Sequence, residues 1–319
     1  MRWRPRSRGC STIPTLAGAW ARPGAAASRR TSPGRASPSG PSASTATPSP
    51  ISRSPPAISA RLLDRLRGFV FDLDGCVWQG ERLNPGAART LTALHRAGRG
   101  VAYLTNNSRA RGAEMSAKLR RLGVTPVEPA LTPLEIFGDV VTERWGASRV
   151  LVIGAPELAA VVAAAGHTIV DVKAWRDATV VAVGNDFDLT YERLAAAARA
   201  AAAGAAVVTP NLDPRLPLED GDFLPGCGAV VQAVCVAAGV RPVVVGKPEP
   251  PLFRLALDRL GCRPHEAAMV GDSVASDIGG GRAVGMRTVL YAPDGAPPDA
   301  ADVVVRSFDE LAQMAGVAH

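Results

Sequence analysis

Four times along this chain a short apolar run stops on a cluster of polar residues, and the order of those clusters limits the possible folds more than any bulk property does. The runs end at Asp72-Leu73-Asp74-Gly75, at Thr105-Asn106-Asn107-Ser108, at Gly246-Lys247-Pro248, and at Gly271-Asp272-Ser273 with Asp277 one turn beyond. Short β-branched runs alternating with amphipathic helical stretches are the pattern of a parallel sheet covered by helices. In open sheets of this kind ligands bind outside the carboxyl ends of the strands, so polar residues gathered there mark a site.

The same alternation divides the chain. Strands are expected at 68–73 and 100–104, each followed by a helix. The first helix is opened by Asn84 and Pro85 and runs to about residue 96; the second reaches about residue 122. A second α/β block occupies 130–242, with strands at 149–153, 179–183 and 206–209. Strands at 243–245, 268–270 and 288–291 then return to the first sheet. The expected organisation is a tail over 1–60, one core sheet assembled from 61–129 and 243–319, and an α/β module inserted at 130–242.

Composition sharpens the reading of the ends. The net charge is +7, yet residues 1–60 hold nine arginines with no lysine and no acid, so 61–319 carry −2. The basic character belongs to the tail, and no nucleic-acid partner is implied for the folded body. Rich in proline and serine and poor in large apolar residues, the tail is expected to be disordered. Two other readings stay open: an organellar transit peptide, or upstream sequence translated ahead of a true start near residue 62. The five cysteines (Cys10, Cys76, Cys227, Cys235, Cys262) show no metal-ligand or C-x-x-C spacing, which fits free thiols in a reducing, cytoplasmic setting. No apolar run reaches 18 residues, so no membrane partner is expected; the alanine-rich stretch at 194–208 reads as an ordinary helix.

The clusters specify a chemistry. Side chains two apart at a strand end share a side, so Asp72 and Asp74 would repel unless a cation or proton lies between them. Asp272 and Asp277 add negative charge to the same mouth. Acids offering only oxygen donors suit Mg²⁺. Lys247 contributes a positive point charge, while Thr105 and Asn106 contribute neutral donors; facing one carboxylate, these groups suit a phosphoryl group. Each cluster alone has an ordinary explanation as a turn, helix cap or solvated lysine. Their joint occurrence, each after a strand, does not.

The run F-V-F-D-L-D-G-C-V-W resembles the first motif of the haloacid dehalogenase superfamily, and the clusters at 105–108, 246–248 and 271–278 resemble its second, third and fourth. The inserted block is similar to the α/β cap of the class IIA branch, the nitrophenyl-phosphatase-like, phosphoglycolate and glycerol-3-phosphate phosphatases. That likeness rests on Asp188-Leu189-Thr190-Tyr191, Thr209-Pro210-Asn211-Leu212-Asp213 and Pro225-Gly226-Cys227-Gly228. The resemblance implies a Rossmann-like three-layer parallel core with an inserted α/β cap, acting as a Mg²⁺-dependent phosphatase on a small phosphorylated metabolite. It casts Asp72 as nucleophile and Asp74 as general acid and base. Mg²⁺ would be held by Asp72, the Asp74 carbonyl and Asp272, with Asp277 orienting ligand waters or Lys247. Thr105, Asn106, Asn107 and Lys247 would bind phosphate, and the loop carrying Asn211, Asp213 and Leu216 would help set specificity. Here T-P-N-L-D stands where the family often has the shorter T-N-x-D. The segment 215–221 resembles the branch acting on glycerol 3-phosphate and 2-phosphoglycolate, with sugar phosphates and mononucleotides next. Caps of this branch often pair, so a homodimer through the cap is compatible with the resemblance. Two rivals are weaker. A non-catalytic phosphate-binding module would not need both aspartates, and a dinucleotide-binding protein would need G-x-G-x-x-G where D-L-D-G stands.

Overall fold

The computed structural model describes residues 62–125, 127–217 and 222–317; the tail expected over 1–60 lies outside them. In chain order the strands are β1 (Gly68–Asp72), β2 (Trp78–Gln79), β3 (Arg82–Leu83), β4 (Gly100–Leu104), β5 (Arg149–Ile153), β6 (Thr168–Val170), β7 (Val180–Val183), β8 (Ala206–Thr209), β9 (Arg215–Pro217), β10 (Phe223–Pro225), β11 (Val243–Val244), β12 (Ala267–Gly271), β13 (Arg287–Tyr291) and β14 (Val303–Val305). They build two five-stranded parallel sheets, ordered β14-β13-β12-β1-β4 and β11-β8-β7-β5-β6, and two short hairpins. This is an α/β protein with a Rossmann-like core.

Both sheets are covered on both faces, which is why their strands read as unbroken apolar runs. In β1 the alternation is direct. Phe69 and Phe71 pack with Leu91, Leu94 and Phe308 from the helices Ala87–Arg96 and Phe308–Met314. Val70 points the other way, to Phe253, Ala256 and Leu257 of the helix Pro250–Leu260. The second sheet repeats the plan: Val181 and Val183 face the helices Tyr191–Ala202 and Cys227–Ala238, while Val180 and Ala182 face Phe137, Val141 and Val162. Ala196, Ala197, Ala200 and Ala201 are buried at helical spacing, so the alanine-rich stretch is a close-packed helix that ends before β8.

Two local expectations need correction. The strand at 243–245 does not rejoin the core sheet: Val243 and Val244 pair with Val208 and Thr209, making β11 an edge of the inserted sheet. The chain therefore crosses back at Val245-Gly246. The first helix also starts at Ala87, with Gly86 in the left-handed region before it, later than Asn84-Pro85; Asn84 turns back instead, its Nδ2 donating to the carbonyls of Gly75 at 3.1 Å and Cys76 at 2.6 Å. Cys76, Cys227, Cys235 and Cys262 are all free thiols. Among the described residues no helix is long and apolar enough to cross a membrane.

Candidate active site

The carboxyl ends of β1, β4 and β12, with the crossover at Gly246, bring the polar clusters together. Asp72 closes β1 and is buried; its carboxylate accepts from the Lys247 ammonium. The same ammonium donates to Asp277 Oδ1 at 2.6 Å, and Asp277 Oδ2 accepts from the Ser273 backbone at 3.0 Å. Oxygens of Asp72, Asp272 and Asp277 lie within 4.8 Å of one another. The expected link between Asp277 and Lys247 is thus present as a direct ion pair.

Two glycines make this crowding feasible. Gly75 has φ +93°, and a Cβ there would lie 2.3 Å from Asp272 Oδ2; at Gly271 a Cβ would lie 2.2 Å from Asp277 Oδ2. Only a residue without a Cβ lets each carboxylate pack onto the backbone.

Burial and charge act on these groups in opposite directions. Burial raises the Asp72 carboxyl well above the usual carboxylate range; Lys247 pulls it down, and Asp277 and Asp272 push it further up. Asp272 is raised by the same combination of burial and the neighbouring Asp277 charge. At Lys247, burial works against the ammonium but the two aspartates outweigh it, so its pKa rises. Three carboxyl groups share one ammonium, so a second cation would relieve the repulsion that raises Asp72 and Asp272, and the mouth offers only oxygen donors. That donor set fits a small divalent cation.

Asp74 behaves differently although it is only two residues away. Its exposed carboxylate accepts from Trp78 Nε1 at 2.8 Å and from Thr105 Oγ1 at 3.0 Å, and it takes no part in the three-aspartate cluster. Any share it has in a metal site falls to its carbonyl, as the resemblance implied. Trp78 closes the first motif, but its bond to Asp74 had no signal beyond its place four residues on, on the hairpin strand β2.

The amides expected to bind phosphate are largely engaged. Asn106 clasps the Lys247 main chain in both directions, Nδ2 to Lys247 O at 3.1 Å and Lys247 N to Oδ1 at 2.8 Å. Asn107 Oδ1 accepts from the backbones of Arg109 at 2.9 Å and Ala110 at 3.2 Å, shaping its own turn. Thr105 Oγ1 accepts from Asn107 N at 3.0 Å. Asn106 therefore positions the lysine and Asn107 Oδ1 shapes its own turn, with the Asn107 amide NH₂, backbone groups and Lys247 as donors toward an anion.

The inserted module closes over this mouth. Asn211 Nδ2 donates to Asn106 O at 2.7 Å, and Gly246 N donates to Pro210 O at 2.8 Å. The Pro225-Gly226-Cys227-Gly228 motif explains itself sterically: a Cβ on Gly226 would lie 2.3 Å from Asp213 O, and one on Gly228 2.1 Å from Leu212 O. The helix Cys227–Ala238 thus begins pressed against the 211–213 loop. Burial raises the Asp213 carboxyl; Lys247 opposes this, and the Asp277 and Asp74 charges add to it, which ties this residue to the field of the mouth. Leu216 lies on β9 opposite Leu224 of β10, in a hairpin beside that loop.

Models of two families match the chain: one described as haloacid dehalogenase-like hydrolase over residues 69–168, and one described as HAD-hydrolase-like over 244–311. Human glycerol-3-phosphate phosphatase is 35% identical over 256 residues, covering 72% of this chain and 79% of that protein. An acid sugar phosphatase of Staphylococcus haemolyticus is 34% identical, covering 70% and 84%. Among solved structures, a 4-nitrophenylphosphatase from Thermotoga maritima superimposes with a TM-score of 0.70 at 28% identity, over 80% of this chain and 99% of that one.

Proposed function

This chain belongs to the haloacid dehalogenase-like hydrolase family and is a phosphatase of small phosphomonoesters; from that premise we propose that Asp72 is its nucleophile and Asp74 its general acid and base. One observation carries the assignment: two carboxylates two residues apart are held by different partners. Asp72 is buried against Lys247, which favours its ionised form and aims it, while Asp74 sits at the exposed rim on Trp78 and Thr105. Lys247, and a cation when bound, offset the burial that by itself would protonate Asp72, while its place at the rim puts Asp74 where the leaving group departs.

In this reading an Asp72 oxygen attacks phosphorus in line, and the bond to the ester oxygen breaks as Asp74 delivers a proton to the departing alkoxide. Asp74 then takes a proton from the water that attacks the aspartyl phosphate; the Asp72–phosphorus bond breaks and phosphate leaves. Lys247 offsets the charge that gathers on Asp72 and the phosphoryl oxygens, and Asn106 keeps that lysine in place. Asp72 and Asp272, with the Asp74 carbonyl, would hold Mg²⁺, which when bound neutralises the repulsion between nucleophile and phosphate. The cap excludes water from the intermediate and contacts the leaving group. The names of the relatives support glycerol 3-phosphate or a sugar phosphate as substrate, and the 215–221 segment supports glycerol 3-phosphate or 2-phosphoglycolate.

The test is phosphate release from 4-nitrophenyl phosphate and glycerol 3-phosphate, with and without Mg²⁺, in the wild type and in Asp72→Asn. Mg²⁺-dependent release that falls by at least about 10³-fold in the variant is expected. Release that survives Asp72→Asn sinks the assignment.

A further inference from the structure

Asn185 follows the carboxyl end of β7, at the seam where the cap meets the core. It is 8% exposed, and its Oδ1 is one of two buried side-chain polar atoms without a hydrogen-bond partner among the described residues. The other end of the amide is weakly engaged: Nδ2 lies 3.5 Å from Ser108 Oγ, the last residue of the Thr105–Ser108 cluster. Asn211 Nδ2 lies 3.5 Å from the same hydroxyl and bonds Asn106 O. Asn185 is thus three contacts from Asn106, whose amide holds the lysine that rests on Asp72.

A desolvated amide oxygen without a protein donor is a standing cost. The seam is where that cost can be relieved. Asp72 is buried at the floor of the mouth, so the leaving group of an ester whose phosphorus faces Asp72 projects away from the core sheet, toward the cap. We infer that Asn185 is a specificity-determining residue whose side-chain oxygen accepts a hydrogen bond from a hydroxyl on the leaving group, so that the preferred substrates are polyol or sugar phosphates. Reversing the amide would leave its NH₂ unpartnered instead, and a hydroxyl, which both donates and accepts, meets either arrangement. The inference rests on the phosphatase reading and deepens it.

The experiment compares glycerol 3-phosphate with n-propyl phosphate, which has the same carbon count and no leaving-group hydroxyl, at saturating Mg²⁺ in the wild type and in Asn185→Leu. The quantity read is the ratio of the two kcat/KM values on one preparation, which cancels the fraction of folded enzyme. We expect a ratio of at least about tenfold in the wild type, collapsing toward unity in Asn185→Leu, because a site that hydrogen-bonds a hydroxyl rejects the analogue lacking it. A wild type without preference, or a ratio that Asn185→Leu leaves unchanged, overturns the inference. Should Asn185→Leu yield no folded protein by its melting curve, the smaller Asn185→Ala is read the same way. Release of 4-nitrophenolate from 4-nitrophenyl phosphate separates the two levels. If that release depends on Asp72 while the ratio stays flat, only the role of Asn185 falls; if there is no Asp72-dependent release, the phosphatase reading falls and takes the inference with it.

Discussion

The core and the cap are built alike and equipped differently. Each is a five-stranded parallel sheet with helices on both faces. The core ends its strands on Asp72, Thr105 and Asp272, with Lys247 at the crossover; the cap ends its strands at Gly184-Asn185 and at Thr209-Pro210-Asn211. One sheet presents charge and the other mainly neutral amides, although the packing that places them is the same. Chemistry here is a property of what stands at the strand ends, and the layered architecture supplies only the position.

Breaking the principal ion pair of each region should expose the contrast most strongly. Lys247→Met leaves Asp72 and Asp277 as buried carboxylates without their cation, and a loss of about 3–5 kcal/mol in denaturant melts is expected. In the cap, Arg193 pairs with Asp186 at 2.7 Å; the Asp186 side chain is buried but the arginine is 29% exposed and only one carboxylate loses its cation, so Arg193→Met should cost less, about 2–3 kcal/mol. Equal losses would mean that the core pair is no more sensitive to its burial than the cap pair.

A methyl group placed on one glycine from each region separates the two roles. Gly75→Ala drives a Cβ toward Asp272 at a left-handed φ, and should raise the Mg²⁺ concentration for half-maximal activity by about tenfold or more, a shift of at least about 1.4 kcal/mol in binding. Gly228→Ala presses on the Leu212 carbonyl, and should raise KM for glycerol 3-phosphate while leaving the Mg²⁺ requirement in place. Titrating both variants with metal and with substrate checks this, and a metal defect in Gly228→Ala would erase the distinction.

The smallest effect concerns the acid by which the cap joins the core's field. Asp213 is largely exposed; partial desolvation in the 211–213 loop, with the nearby Asp277 and Asp74 charges, raises its carboxyl while Lys247 opposes, so the folded protein binds the proton slightly more readily. The cost of its charge is therefore absent below the unfolded value, about pH 4, grows as pH rises through the folded value, and is fully present at neutral pH. Asp213→Asn should raise the melting temperature slightly at neutral pH and leave it unchanged at about pH 3. A gain that is the same at both ends would assign the effect to packing.

What could be read without coordinates was local. Asp72, Asp74, Lys247, Asp272 and Asp277 stood out because an apolar run ending on acids, or on Gly-Lys-Pro, can be seen within a few residues. The Gly279-Gly280-Gly281 run after Asp277 is a packing device: a Cβ on Gly280 would meet the Phe253 ring at 2.3 Å. Asn84 misled because a residue suited to cap a helix was recruited by two carbonyls instead. The roles of Trp78, Ser108 and Asn185 were not legible, although Trp78 closes the first motif and Ser108 the second cluster: their partners come from the fold, and neither a tryptophan on a hairpin nor an asparagine after a strand is unusual.

The sequence by itself determined the α/β class, the two-module organisation and the cluster of acids around one lysine, because strand periodicity and strand-end polarity are written in neighbouring residues. Only the tertiary structure decided that β11 belongs to the cap, that Asn106 holds Lys247 across 141 positions, and that an unpartnered amide of the cap rests beside Ser108 of the core. Each of those facts depends on which distant backbone supplies the other half of a hydrogen bond, and local periodicity carries no record of that.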